Sequence, residues 1–127
     1  MVSDYRTLKI NLVTTWNQAC GVAEYSKSLY NSLIKLGHEV SILGSTVFPL
    51  LKEDEDFVTR LGMPNADVVH IQYTSFIFDA EYINTILNSG IKCVATFHDL
   101  CLDPKVDWTK LDTAIAHRDD VFSMLPD

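Results

Sequence analysis

The sequence lacks the long apolar runs and the cysteine content of membrane and disulfide-stabilised proteins. No segment approaches the roughly 20 uninterrupted apolar residues that a transmembrane helix needs. Residues 1–9 carry an acid and several polar side chains, with no apolar signal-peptide core. The three cysteines, at positions 20, 93 and 101, are odd in number and unevenly spaced, which is untypical of a disulfide framework. We therefore expect a cytoplasmic protein.

Basic side chains are also scarce. Ten lysines and arginines stand against 17 aspartates and glutamates, which gives a net charge of −7. Nucleic acids and anionic bilayers select basic surfaces, so this charge disfavours nucleic acid as a partner and gives no support for peripheral membrane contact. The 127 residues, of which 47% are apolar, are enough for one compact domain with a core.

A metal site is not expected either. Cys93, His98 and Cys101 are close in sequence, but in a strand over residues 91–97 the side chains of Cys93 and His98 would point to opposite faces. No C-x-x-C pair supports a zinc site. The cysteines are therefore interpreted as buried free thiols.

The spacing of apolar residues predicts strands that alternate with helices. Short apolar runs predict buried strands over 8–14, 38–44, 67–73, 91–97 and 111–117. Apolar residues three and four apart predict a helix over 22–36 that ends at Gly37. Its predicted buried face consists of Val22, Tyr25, Leu29, Leu33 and Leu36. Further helices are predicted over 81–87, within 51–61 and over 118–125.

This alternation requires right-handed crossovers and a parallel sheet with helices on both faces. We therefore predict a single Rossmann-like, doubly wound α/β domain over residues 1–127. Ligands of such folds bind beyond the carboxyl ends of the strands. That rule selects the loops 14–21, 44–47, 72–78 and 98–103 as candidate binding loops.

Gly21 lies at the start of the first predicted helix, directly after the first strand. The unpaired N–H groups of a helix N-terminus attract phosphates and other anions. The alternative is a tight turn in which glycine avoids a Cβ clash. The sequence has neither the G-x-G-x-x-G of dinucleotide-binding folds nor the G-x-x-x-x-G-K-[ST] of a P-loop.

His98 ends a buried strand at the same predicted edge. There it could donate a hydrogen bond to a phosphate or a sugar hydroxyl, or alternatively bond to a neighbouring loop. His70 lies inside its strand and is interpreted as structural. The aromatic residues after the third strand, including Tyr73, Phe76 and Phe78, either offer an apolar surface to a substrate or pack under their own loop.

Five segments together resemble the N-terminal half of GT-B glycosyltransferases of the large retaining family four, the type called glycosyl transferases group one. They are ACGVAEYSKSL, LGHEVSIL, DVVHIQY, VATFHDL and DTAIAHRDDVFSML, and they follow one another in the family's order. The resemblance implies transfer of a sugar, with retention, from a nucleotide-sugar to an acceptor. It implies no metal and no cofactor other than the nucleotide-sugar as co-substrate.

The resemblance also implies roles for single residues. His98 would be the catalytic residue that contacts the transferred sugar or assists the leaving phosphate. Backbone N–H groups would bind the donor diphosphate at Cys20, Gly21 and Val22. The acceptor side would be lined by Trp16, Asn17, Gln72, Tyr73 and Asp99.

The nucleotide pocket and the paired-glutamate motif of the family's second half have no counterpart in this sequence. We therefore expect an N-terminal, acceptor-side domain that is incomplete at its C-terminus. It would be active only with a nucleotide-binding C-terminal domain or partner chain, on a sugar or lipid-linked acceptor. The alternative is a stand-alone, non-catalytic binding module with the same fold.

Overall fold

Six parallel strands and two α-helices form the part of the protein that the computed structural model describes, namely residues 7–15, 21–44, 58–59, 62–74, 78–98 and 102–116. The strands are β1 (Lys9–Val13), β2 (Glu39–Leu43), β3 (Val58–Thr59), β4 (Val68–Tyr73), β5 (Lys92–Phe97) and β6 (Thr113–Ala116). The helices are α1 (Gly21–Lys35) and α2 (Ala80–Leu87), and a 3-10 turn spans Trp108–Lys110.

The strand order in the sheet is β3-β2-β1-β4-β5-β6, with every neighbouring pair parallel. The chain moves outward in one direction from β1 and in the other from β4, so α1 and α2 cover opposite faces of the sheet. The predicted doubly wound α/β fold is confirmed. No helix within these described residues is long and apolar enough to cross a membrane.

All five predicted strands are confirmed, and so are the helices predicted over 22–36 and 81–87. The helix predicted within 51–61 is wrong at Val58–Thr59, which instead pair with Ile42 and Leu43 of β2 as the edge strand β3. A two-residue strand has no apolar periodicity of its own, so a strand was not predicted there. The helix predicted over 118–125 lies outside the described residues.

Three strands are each preceded by a side chain that accepts a backbone hydrogen bond from the neighbouring strand or from the residue just before it. The acceptors are Asp67, Asp112 and His38, which bind the N–H groups of Lys9, Cys93 and Leu8 at 2.8, 2.8 and 3.0 Å. Each satisfies a backbone donor at the amino end of the sheet, where the ladder has just begun. Each therefore helps to fix the register of one pair of parallel strands.

The larger core lies on the face of the sheet that α2 covers, here called the α2 face. Ile83, Ile86 and Leu87 of the helix pack there against apolar side chains from β1, β2, β4 and β5. Trp108 closes this core from the loop after β5, with its ring centroid 4.7 Å from that of Tyr73 and 5.2 Å from that of Phe97. The opposite face, the α1 face, has a smaller core around Leu12 and Ile42.

The predicted buried face of α1 is wrong at two positions, because Tyr25 is 41% exposed and Leu36 is 72% exposed. Ala23 and Ser26 are buried instead. Ser26 Oγ lies 2.6 Å from Thr14 Oγ1 at the end of β1. Small side chains allow this close approach of helix to strand, so the buried face turns towards them and away from the larger residues.

Two of the three described glycines with positive φ angles, Gly37 and Gly62, adopt them for different reasons. Gly37 (φ +91°) ends α1, and its N–H donates to the carbonyl of Ile34 in the reversal typical of a helix C-terminus. Gly62 (φ +64°) lies against Asn11, whose side-chain amide bonds both the N–H and the carbonyl of Met63 at 2.8 and 2.9 Å. A Cβ at Gly62 would lie only 2.7 Å from the Asn11 side chain, whereas one at Gly37 would meet nothing within 4 Å.

Gly62→Ala should therefore destabilise the protein more than Gly37→Ala. The left-handed backbone conformation costs either alanine about 1–2 kcal/mol. Gly62→Ala should lose at least about 1 kcal/mol more, because its Cβ displaces Asn11 in a packed site. Urea denaturation of both variants measures the difference in free energy of unfolding, and equal losses would contradict the proposed contact.

Candidate functional site

Polar side chains gather on the α1 face where β1, β4 and β5 end. Gln72 pairs with Thr96 in the parallel register of β4 and β5, so both side chains lie on this face. Thr14 follows β1 and His98 follows β5 on the same side. The His98 N–H donates to the carbonyl of Tyr73 at 2.9 Å, which extends the ladder by one residue.

Three of these side chains, His98, Gln72 and Thr96, form one hydrogen-bonded network with His70. His98 Nε2 lies 2.6 Å from Gln72 Oε1, and Gln72 Nε2 lies 3.4 Å from His70 Nε2. His70 Nε2 is also 2.7 Å from Thr96 Oγ1. Gln72 and Thr96 are buried and His98 is half-buried, so the network runs from the sheet interior to its carboxyl edge.

The first turns of α1 lie against this network. The hydrogen bond between Ser26 and Thr14 holds the helix on the end of β1. The ring of Tyr25 meets the His98 imidazole edge to face, with centroids 5.1 Å apart and an angle of 76° between the ring planes. Because Tyr25 is one turn after Gly21, the N-terminal turn of α1 and His98 lie at the same edge of the sheet.

The predicted site residues fall into three groups. His98 and Gln72 are brought together, and the helical backbone of Gly21 and Val22 begins nearby at the start of α1. Tyr73 lies on the α2 face, 2% exposed, where its hydroxyl accepts from the Asp103 N–H at 3.2 Å, and Phe78 is buried in the same core. The others lie outside the described residues: Trp16, Asn17, Cys20, Phe76 and Asp99. The roles of all these residues towards a ligand stay predictions.

Burial, and secondarily the charge of His98, lower the pKa of His70 from 6.5 to about 4. His70 is therefore a neutral imidazole near pH 7, with one nitrogen that donates and one that accepts. The sequence indicated that His70 is structural but did not indicate its partners. The H-x-Q spacing in β4 was the available signal, since residues two apart in a strand share a face.

Cys93 lies in the core on the opposite face from His98, as the strand parity predicts. Burial, with a smaller effect of Asp112, raises the pKa of its thiol to about 11, so the thiol stays protonated. Within the ranges that the structure describes, no three His, Cys, Asp or Glu side chains group as metal ligands would. Cys101 lies outside those ranges.

Comparisons with known proteins give one informative match. No family model matches the sequence, and no curated protein matches it. Among solved structures, the fold is similar to that of an α-glucosyltransferase in complex with UDP and a 13-mer DNA containing a HMU base, with a TM-score of 0.62 and 16% sequence identity. The match covers 88% of this chain and 38% of the glucosyltransferase. The likeness shows a glycosyltransferase-like, Rossmann-like fold of the GT-B type.

The low pKa of His70 predicts that acid destabilises the fold. Between about pH 4 and pH 6.5 the unfolded chain binds a proton at His70 that the folded chain does not. The stability from neutral His70 is thus fully present above pH 6.5 and is lost as the pH falls towards 4. From about pH 7 to about pH 5, this single group should lower the free energy of unfolding by at most about 2 kcal/mol.

His70→Gln provides the control for this pH dependence because it replaces the titrating imidazole by a polar amide that does not titrate. Urea denaturation of both proteins at the two pH values gives the comparison. The variant should lose less stability than the wild type over the same range. Equal losses would mean that His70 titrates normally in the folded protein.

Proposed function

We propose that this chain is the acceptor-side half of a retaining glycosyltransferase, of the family four type, that uses a nucleotide-sugar donor. The observation that carries the proposal is the contact of Tyr25 with His98, which brings the start of α1 next to the histidine at the end of β5. An anion-binding helix terminus and a polar imidazole at one sheet edge suit a diphosphate and its attached sugar. The GT-B type of fold supports the same assignment.

In this proposal the N-terminal turn of α1 binds the donor diphosphate. In general, the N–H groups of the first helical turn have no earlier helical carbonyl to bond, and the helix dipole adds partial positive charge there. The proposal assigns the diphosphate to such groups at Cys20, Gly21 and Val22. α1 has 15 residues and is anchored to β1 through Ser26 and Thr14, so these donors are held in a fixed position. A rigid set of donors binds a phosphate without the cost of ordering a loop.

His98 is the proposed catalytic residue at this edge. Its Nε2 is bonded to the buried amide of Gln72, and its ring is held by Tyr25, so the imidazole has a defined orientation. An imidazole so placed can accept a hydrogen bond from a hydroxyl of the transferred sugar at Nδ1, and in its protonated form it can donate from Nδ1 to the phosphate as the bond to the sugar breaks. Gln72 then acts through His98, while Trp16, Asn17 and Asp99 remain proposed as the acceptor side. Tyr73 is not included, because it is buried in the core of the α2 face.

We propose a sugar or a lipid-linked sugar as the acceptor. The α-glucosyltransferase with the similar fold is in complex with DNA, but a net charge of −7 opposes the binding of a polyanion to this chain. Its other ligand, UDP, is a reasonable first probe for the donor site. No metal is proposed, because family four transfer does not require one.

Catalysis is proposed to need a second, nucleotide-binding half. The chain spans 38% of the length of the glucosyltransferase that it resembles. A cleft closed by two halves orients donor and acceptor and excludes water, and these two effects supply much of the acceleration of a two-substrate transfer. The half described here would bind ligands weakly by itself and would transfer sugar only with that domain or partner chain.

Gly21→Val should weaken diphosphate binding without unfolding the protein. A β-branched side chain at the start of α1 would obstruct the approach of a phosphate to the N–H groups there. Calorimetric titration with UDP and other nucleoside diphosphates should show weak binding to the wild type and about tenfold or greater weakening in the variant, which corresponds to about 1.4 kcal/mol. Lys27→Val, at an exposed position of the same helix, is the matched control and should bind normally.

The two variants separate binding from folding. If Gly21→Val and Lys27→Val lose stability alike but only the former loses binding, the diphosphate role of α1 is supported. If the folded wild type binds no nucleoside diphosphate, that role is contradicted. The chain would then fit the second candidate function better, a non-catalytic binding module with this fold.

His98→Ala should separate the affinity for the sugar part of the donor from the affinity for its nucleotide part. Because His98 is proposed to contact the sugar, the variant should bind UDP as the wild type does. It should lose the additional affinity of UDP-glucose or another preferred nucleotide-sugar, by about three- to tenfold for one hydrogen bond. Parallel titrations of UDP and the nucleotide-sugar measure this ratio, and an unchanged ratio would exclude His98 from the sugar site.

A further inference from the structure

The glutamine between the two histidines restricts where their protons can lie. An amide has a carbonyl that only accepts and an NH2 group that only donates. Gln72 presents its carbonyl to His98 Nε2 and its NH2 group to His70 Nε2. With Gln72 fully buried, solvent does not provide alternative partners for either end.

The two imidazoles must therefore carry complementary nitrogens. To donate to the carbonyl at 2.6 Å, His98 Nε2 must hold a hydrogen. The Thr96 hydroxyl, 2.7 Å from His70 Nε2, can donate or accept and so fits either tautomer of His70. The NH2 group of Gln72, 3.4 Å away, meets an acceptor only where His70 Nε2 holds a lone pair. The neutral forms that satisfy the network are Nδ1–H for His70 and Nε2–H for His98.

We infer that His70 is a positioning residue, which acts through the Gln72 amide to hold His98 as the Nε2–H tautomer, with Nδ1 as its proton-accepting nitrogen. The catalytic consequence rests on the proposed function, because it concerns the imidazole assigned to the sugar or the leaving phosphate. The tautomers themselves are properties of this chain and do not depend on that function.

The surroundings of His70 support this role. Its burial keeps it neutral near pH 7, since its pKa is lowered to about 4. A protonated His70 would carry hydrogens on both nitrogens, and Nε2–H would then face the donor NH2 group of Gln72. Neutral His70 avoids that opposition and keeps the carbonyl end of the amide directed at His98.

Rotating the Gln72 amide by half a turn gives the opposite arrangement. The carbonyl would face His70, which would then need Nε2–H, and the NH2 group would face His98, which would then need a lone pair on Nε2. Both tautomers would be exchanged together. The inference therefore predicts a joint assignment for the two histidines rather than one value for each.

Nitrogen-15 NMR of the imidazole rings tests this assignment directly on the 127-residue chain. At neutral pH, His70 Nε2 should give the signal of a nitrogen without hydrogen, and His98 Nε2 that of a nitrogen with hydrogen. Gln72→Glu replaces the amide by a group with two acceptor oxygens, so His70 Nε2 should gain a hydrogen while His98 Nε2 keeps its own. Exchanged tautomers in the wild type, or an unchanged His70 in Gln72→Glu, would overturn the inference.

Variants at His70 test whether it positions His98. His70→Leu removes the acceptor that fixes the amide, so His98 Nε2–H should exchange with water about tenfold faster, a factor equivalent to about 1.4 kcal/mol. His70→Gln places an amide oxygen where Nε2 was and should restore slow exchange. His38→Leu, which removes a histidine bonded to Leu8 N–H instead, is the control and should leave His98 unchanged. Equal exchange in His70→Leu and the wild type would refute the positioning role.

These measurements need no sugar donor and no sugar acceptor, so they separate the inference from the proposed function. If the tautomers are as inferred but no nucleotide binds, the proposed function fails and the coupling of His70 to His98 stands. If nucleotides bind and the tautomers are exchanged, the inference fails and the proposed function stands.

Discussion

The register between β4 and β5 is the constraint on which the candidate site depends. Gln72 lies opposite Thr96, and this pairing puts His70, Gln72, Thr96 and His98 on the α1 face. A slip of one residue in β4 would turn His70 and Gln72 into the apolar core of the α2 face. Asp67 holds β4 against β1, and Asp112 holds β6 against β5, through carboxylates that accept backbone N–H groups. Side chains at the amino edge of the sheet thus help to determine which side chains lie together at its carboxyl edge.

The two faces of the sheet differ in polarity. The α2 face is a continuous apolar core in which Tyr73, Phe97 and Trp108 contact one another edge to face. Such contacts add about 0.5–1.5 kcal/mol each to the burial of the rings. Among the described residues, the buried apolar cluster of the α1 face centres on Leu12 and Ile42, and the face becomes polar towards the strand ends. The stability supplied by one face allows the other to carry polar side chains where the strands end.

The sequence predicted the elements better than their contacts. β1, β2, β4 and β5 are short segments rich in apolar residues, and Gly37 follows the end of α1, so local patterns were sufficient for them. β3 was missed because its two residues form a strand only by pairing with β2. The buried face of α1 was misjudged because Ser26 and Ala23 approach the sheet closely, which depends on tertiary packing. At the site, position alone indicated His98, but its partners Gln72 and Tyr25 meet it only through the sheet register and the placement of α1.

The polar side chains of the network formed by His70, Gln72, Thr96 and His98 are better explained by function than by stability. Replacing a buried hydrogen-bonded pair by apolar groups of the same shape is often nearly neutral or stabilising, whereas leaving one polar partner alone costs about 1–3 kcal/mol. Stability alone therefore does not explain why His70, Gln72 and Thr96 lie together on the α1 face when Leu12 and Ile42 fill the adjoining part of the same face. A function for the network is found at its outer end, where Gln72 bonds one nitrogen of the half-buried His98 imidazole beside the start of α1. Orienting that imidazole for a ligand explains the polar residues better than stability does, and this favours the glycosyltransferase proposal over a purely structural role.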